Sequence, residues 1–386
     1  MNLCCLFVKF IVMYKRLLQK TIEKNLFKGK VIILFGARQT GKTTLVKEVL
    51  NNRADARYIN CELLQNKELL ETTNSERLKF FLGNYNLIAL DEAQSISNIG
   101  LILKIIHDEL PGVQILATGS SSFDLKNITS EPLTGRSRQY ALFPLSLQEL
   151  GYKKEKIDIH AQLENILRYG LYPGVYGIPE QETIEELSNI ASNYLFKDVL
   201  MFEKMKHPDV LLNLLKAIAL QLGSEVSYNE LSRLLGVGVH TVKRYVELLE
   251  KSFIVFSLSS YSTNPRKEIA KGKKIYFYDL GIRNFLIQNF NPLSSRTDTG
   301  ALWENFCIVE RKKINSYKRN FLNVFFWRTY AKNEIDYIEE FGGKLHAYEF
   351  KYSTKGKVKV PRKFMESYPD SEYRVITPEN YFEFIW

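Results

Sequence analysis

A glycine-bounded loop between an apolar run and an amphipathic helix constrains this chain more than any other feature. Gly36-Ala37-Arg38-Gln39-Thr40-Gly41-Lys42-Thr43 follows Val31-Ile32-Ile33-Leu34-Phe35 and opens into Thr44-Leu45-Val46-Lys47-Glu48-Val49-Leu50. Strand, loop, Lys-Thr and helix, in that order, form the context a phosphate-binding loop requires. The glycines let the backbone turn tightly, so that successive N–H groups point at an anion. The helix start adds its dipole. On this reading Gly36 through Thr44 cradle the phosphates of ATP, Lys42 reaches the β- and γ-phosphates, and Thr43 holds Mg²⁺.

From Tyr14 to about Glu149, short apolar runs alternate with helical segments, which predicts a parallel sheet covered by helices. Leu87–Leu90 ends in Asp91-Glu92, and Val113–Ala117 ends in Thr118-Gly119-Ser120-Ser121-Ser122. Ligands collect at the carboxyl ends of such strands, so these clusters are expected to converge on one nucleotide. Asp91 is the second Mg²⁺ element, and Glu92 is placed to orient and deprotonate the attacking water. Ser120 is the candidate γ-phosphate sensor, with Thr118 and Ser121 as rivals. Arg136 and Arg138 follow a loop. One of them, Arg136 first, is expected to serve as an arginine finger offered to a neighbouring subunit.

The 386 residues exceed one ordinary domain. A charged content of 25% beside 45% hydrophobic residues excludes a disordered chain. Residues 1–12 read as a non-native or disordered extension, because Met13 precedes a well-formed amphipathic start. The apolar stretch there is too short to span a bilayer, so no membrane role is expected. The cysteines, Cys4, Cys5, Cys61 and Cys307, lack zinc-ligand spacing and point to a reducing, cytoplasmic setting. The net charge of +10, most of it in the last third, suits a polyanionic partner such as DNA, although a solvated basic face reads the same.

Beyond the 13–150 core, residues 151–206 carry a helical pattern and read as a lid. Residues 207–262 read as a winged helix-turn-helix. Ser227 and Glu230 make a capping box, Gly236–Val239 the turn, His240–Lys251 the second helix and Phe253–Leu258 the wing strand. His240, Lys243 and Arg244 could face DNA there, or could simply be solvated.

Residues 263–386 carry a new α/β pattern. Glu349 and Lys351, two apart on a strand, share a face. A hairpin through Gly342-Gly343 can bring Asp336 beside them, with Glu304 upstream on a helix. Two readings stand at this point: a surface ion-pair cluster, or carboxylates holding Mg²⁺ beside a lysine for phosphodiester cleavage.

Taken with Leu90-Asp91-Glu92-Ala93-Gln94, Thr118-Gly119-Ser120-Ser121, Gly135-Arg136 and Pro144-Leu145-Ser146, the glycine loop resembles that of a prokaryotic family of AAA-type P-loop ATPases. Members of that family carry a C-terminal domain of unknown function. The resemblance implies an AAA core and assembly as a homo-oligomer. The order Glu304, Asp336, Glu349-x-Lys351 resembles the restriction-endonuclease-like fold. The expected architecture is α/β: a P-loop AAA-type sheet with helical lid, a winged helix-turn-helix and an endonuclease-like domain. The expected function is an ATP- and Mg²⁺-dependent ATPase controlling a DNA-contacting, cleavage-equipped tail. The alternative is a slow ATP switch bearing protein-interaction modules and no nuclease.

Overall fold

The computed structural model describes residues 14–120, 133–192, 208–262, 272–329, 333–353 and 360–386. The expected extension 1–12 and the rival sensor Ser121 lie outside them.

The first sheet is parallel, with β1 (Val31–Phe35), β2 (Ala56–Asn60), β3 (Leu87–Asp91), β4 (Gln114–Gly119) and β5 (Ser137–Ala141) in the order β2-β3-β4-β1-β5. Helices α1 (Leu17–Asn25), α2 (Lys42–Leu50), α3 (Leu64–Leu70), α4 (Ser75–Leu82) and α5 (Ile99–Glu109) accompany it. β3 and β4 are buried throughout, which is why they read as continuous apolar runs and not as alternating ones. Register pairs Phe35 with Gly119, Leu90 with Ala117 and Asn60 with Asp91, so the carboxyl ends of the strands finish level. Two glycines set the loop after β1. A side chain at Gly36 would meet the Leu142 carbonyl oxygen at 2.1 Å, and Gly41 starts α2 at φ +93°.

Helices α6 (Leu147–Leu150), α7 (Lys156–Ala161), α8 (Leu163–Tyr169) and α9 (Glu180–Ala191) follow. Next come α10 (Pro208–Leu220), the short β6 (Glu225–Val226), and the pair α11 (Tyr228–Leu235) and α12 (Val239–Lys251). Ser227 caps α11 by accepting the Glu230 N–H at 3.3 Å, and Gly236 ends it at φ +65°.

The strand expected at 253–258 is β7 (Val255–Ser260), antiparallel to β8 (Lys273–Phe277). This hairpin crosses the expected boundary at 262/263. β7 also runs parallel to β9 (Asn323–Arg328), so it joins a seven-stranded sheet and is no free-standing wing. With β10 (Glu334–Phe341), β11 (Lys344–Phe350) and β12 (Glu372–Ile376) the order is β12-β11-β10-β9-β7-β8-β6.

Helices α13 (Leu280–Leu286), α14 (Thr299–Lys318), α15 (Arg362–Ser367) and α16 (Tyr381–Ile385) complete the chain. α13 locks onto the segment read as a lid. Asn284 donates to the Leu167 and Arg168 carbonyls at 3.0 and 2.9 Å, and Asp279 accepts the Leu171 N–H at 2.7 Å. One hydrophobic cluster runs from Leu45 and Leu116 through Tyr278 and Phe306 to Phe384, so the later segments share a core with one face of the first sheet. Among the described residues no helix is long and apolar enough to cross a membrane.

Candidate nucleotide site and carboxylate cluster

The loop from Gly36 to Thr43 turns its carbonyls as well as its N–H groups to account. Buried Lys42 donates to Gly36 O at 3.0 Å and Ala37 O at 2.9 Å, which holds its ammonium over the loop. Thr40 donates its hydroxyl to Ala37 O at 2.8 Å. Gln39 takes a left-handed φ of +59° at the exposed tip. Arg38 is half-buried and Thr44 is exposed on the first turn of α2.

Level strand ends bring Asp91 to this loop. Thr43 donates its hydroxyl to Asp91 Oδ2 at 2.7 Å, and Tyr58 donates to the same oxygen at 2.6 Å. Thr118 donates to Asp91 Oδ1 and accepts the Glu92 N–H at 2.9 Å. Thr118 is fully buried and committed to Asp91, so of the two described sensor candidates only Ser120 keeps a side chain directed elsewhere. Burial, then Asp91 and Glu92, pushes the nearby Cys61 thiol up to about 12, so it stays protonated and inert.

Glu92 sits at φ +54°, a left-handed conformation uncommon for a residue with a side chain. Gln94 donates its amide to Glu92 Oε2 at 2.5 Å and to Ser120 Oγ at 3.2 Å, linking the expected base to the expected sensor. The amide oxygen of Gln94 is buried and has no hydrogen-bond partner among the described residues. An orphaned acceptor beside Glu92 suits a water or ligand donor at that point. Thr43 and Asp91 offer hard oxygens at the mouth of the loop, the donor set Mg²⁺ takes together with phosphate oxygens.

Arg136 and Arg138 are not near this site. Val31 pairs with Ser137, so both arginines flank the start of β5, beside the start of β1. The five residues of β1 separate that end from Gly36, about 16 Å at roughly 3.3 Å per residue. Arg136 donates to Asp108 Oδ1 at 2.8 Å, and Arg138 donates to Asn25 Oδ1. Neither faces the phosphate loop of its own chain.

The C-terminal residues do meet. Strands β10 and β11 pair through Tyr337–Tyr348 to Phe341–Lys344, with Gly342 and Gly343 in the turn at φ +59° and +77°. A register shift between Ile335 and Ile338 marks a bulge at Asp336, the kind of irregularity that re-aims a side chain. Asp336 Oδ2 accepts the Phe350 N–H at 2.9 Å, and Lys351 Nζ reaches Glu349 Oε1 at 2.7 Å. Glu304 on α14 faces the same cluster.

Three members were missed in the sequence, Lys274, Glu334 and Tyr276. Lys274 Nζ lies 3.1 Å from Glu304 Oε1, 2.5 Å from Glu334 Oε1 and 4.0 Å from Asp336 Oδ1. Tyr276 adds a bond to Glu304 Oε1 at 2.6 Å. Burial, then Asp336, pushes the Glu304 carboxyl up to about 7 against the pull of Lys274. Burial likewise raises Asp336 and Glu349. Burial lowers the Lys274 pKa, but Glu304, Asp336 and Glu334 outweigh it and hold the ammonium charged. The alternation Lys274-Ile275-Tyr276 was the available signal, since it places both polar groups on one face of a strand.

Beside this cluster lies a groove of 580 Å³, lined by Ser227, Asn229, Lys243, Lys273 and Arg328, with Glu225 across from them. Arg328 pairs with Glu225 at 3.1 Å and lies 3.6 Å from Glu334, so it connects groove and cluster. His240 and Arg244 are exposed on α12 outside the groove lining.

Comparison with known proteins matches residues 28–151 to a family described as "AAA domain". Residues 160–293 and 299–384 match two families described as domains of unknown function (DUF8612 and DUF4143). An uncharacterized protein of Mycobacterium tuberculosis is 25% identical over 333 residues, covering 86% of this chain and 72% of that protein. One of Methanocaldococcus jannaschii is 24% identical over 348 residues, covering 84% and 75%. A solved Walker-type ATPase of Pyrococcus abyssi is 16% identical with a TM-score of 0.48, covering 71% of this chain and 96% of that one. The first segment of this chain is thus similar to AAA domains.

Proposed function

We propose that the chain is a Mg²⁺-dependent ATPase whose nucleotide state governs a DNA-contacting C-terminal region. The observation that carries the ATPase reading is the Thr43–Asp91 contact at the mouth of the glycine loop. When bound, Mg²⁺ offsets charge on the β- and γ-phosphate oxygens. The chain's own groups do the rest. Loop N–H groups and Lys42 bind the phosphates, while Asp91 and Thr43 hold the metal's side of the nucleotide. Glu92, steered by Gln94, positions water and takes its proton. Ser120 reads the γ-phosphate through the same Gln94 amide. Arg136 lies too far to serve its own nucleotide, so its role as a finger requires a neighbouring copy.

The DNA reading is supported by the groove. Lys243 and Lys273 carry no ion-pair partner among the described residues and face it together with Arg328 and the start of α11. Backbone phosphates fit such a set of cations and helix N–H groups. The alternative, a slow switch with protein-interaction modules, is favoured by the core shared between the later segments and the first sheet.

One experiment separates them: ATP turnover with and without duplex DNA, on protein of measured oligomeric state. The DNA reading expects stimulation, and binding that weakens steeply with salt through counterion release. Absence of DNA binding at low salt would leave the switch reading standing.

A further inference from the structure

Four carboxylates, Glu304, Glu334, Asp336 and Glu349, converge where an endonuclease-like fold would hold a divalent metal. Their donor atoms do not fit one. Lys274 Nζ stands among Glu334, Glu304 and Asp336, and its side chain is only 2% exposed. Three further oxygens are also engaged. Asp336 Oδ2 takes the Phe350 N–H, Glu349 Oε1 takes Lys351, and Glu334 Oε2 faces Arg328 at 3.6 Å. Mg²⁺ demands near-octahedral oxygens at about 2.0–2.1 Å. A dication placed beside a buried ammonium meets strong repulsion in a low-dielectric setting. Among the described residues no three His, Cys, Asp or Glu side chains stand so as to hold a metal ion.

We propose that Lys274 is the resident cation of this cluster, standing in place of a divalent metal, so that the C-terminal region grips nucleic acid without cutting it. The first half stands on the cluster's geometry alone, and the second rests on the DNA reading. Strand β8 explains how one element serves both. Lys273 and Lys274 are successive residues, so their side chains leave opposite faces of the strand. Lys273 lines the groove and Lys274 enters the cluster. Carboxylates packed this closely need a positive partner, and a buried lysine needs theirs. The fold therefore carries its own counterion.

Mn²⁺ titrated into the nucleotide-free full chain, with free Mn²⁺ read by electron paramagnetic resonance, tests this. Wild type and Lys274→Arg are expected to take up no Mn²⁺ that Asp336→Asn removes. Lys274→Met is expected to gain a site about tenfold or more tighter than any in wild type. Adding Asp336→Asn to Lys274→Met should abolish that site. Stoichiometric uptake by wild type that Asp336→Asn abolishes overturns the proposal, and so does a folded Lys274→Met that gains nothing. Should Lys274→Met fail to fold, the comparison of wild type, Lys274→Arg and Asp336→Asn decides alone. Anisotropy with labelled duplex DNA runs in parallel. No DNA binding alongside the expected Mn²⁺ result removes the nucleic-acid half and leaves the role of Lys274 standing.

Discussion

Arg16 donates to the carbonyl of Thr40 at 2.5 Å, tying the residue that precedes α1 to the inside of the phosphate loop. The same buried guanidinium reaches Glu149 Oε1 at 2.9 Å, Phe143 O at 2.6 Å and the Tyr317 hydroxyl at 3.4 Å. One side chain thus touches the loop, the turn after β5 and α14 of the C-terminal segment. The phosphate loop and α14 are held by the same planar group.

Arg16→Ala is therefore expected to lower both stability and ATP affinity. It leaves Glu149 buried without its cation, a loss of about 3–5 kcal/mol for a broken buried pair. The lower end applies, because the Leu17 and Ser146 N–H groups still serve that carboxylate at 3.0 and 2.9 Å. Arg16→Lys keeps the charge but not the fork, and should fall between. Urea denaturation measures this, and an Arg16→Ala stability matching wild type would remove Arg16 from the account.

Lys42→Ala is expected to abolish turnover, whereas Glu92→Gln should keep ATP binding and slow hydrolysis by about 10²–10⁴-fold, the range for a positioned base. Single-turnover assays beside equilibrium binding separate the two effects. Rapid hydrolysis by Glu92→Gln would place the base elsewhere.

Much of this site could be read from residues alone, for physical reasons. Parallel strands buried on both faces leave unbroken apolar runs, so β1, β3 and β4 declare themselves and their polar ends follow. The Gly342-Gly343 turn fixes a hairpin register, which puts Asp336 beside Glu349. Arg16 was not legible, because its partners Thr40, Glu149 and Tyr317 lie 24, 133 and 301 residues away. Lys274 was hidden differently. Only the pairing of β7 with β8 and β9 makes Lys273–Phe277 a strand within the sheet.

The Glu304 carboxyl predicts a pH dependence. Burial and Asp336 push it up to about 7 from an ordinary 4.5. Between those values the folded chain holds a proton that the unfolded chain has released. Stability from this group is complete below the lower value and is lost as pH rises through the upper, by at most about 3 kcal/mol. Glu304→Gln should shallow the fall in stability between pH 5 and 7.5. The slope should not vanish, since Asp336 and Glu349 are raised as well. Denaturation curves across that range check it, and unchanged slopes would sink the assignment.

Arg136 separates a trans role from a structural one. Its ion pair with Asp108 is exposed on both sides, 37% and 31%, and such pairs contribute about 0–1 kcal/mol. Arg136→Ala should therefore leave stability almost unchanged. Its distance from Gly36 means that an isolated protomer should lose no activity either. If copies assemble, hydrolysis should fall while ATP affinity stays near wild type. Mixing Arg136→Ala with inactive Lys42→Ala then gives a sharp outcome. Of the two mixed arrangements, one pairs the intact phosphate loop of Arg136→Ala with the intact arginine of Lys42→Ala, so activity should reappear above that of either parent. A mixture no more active than Arg136→Ala alone, on protein shown to exchange subunits, would confine Arg136 to its contact with Asp108.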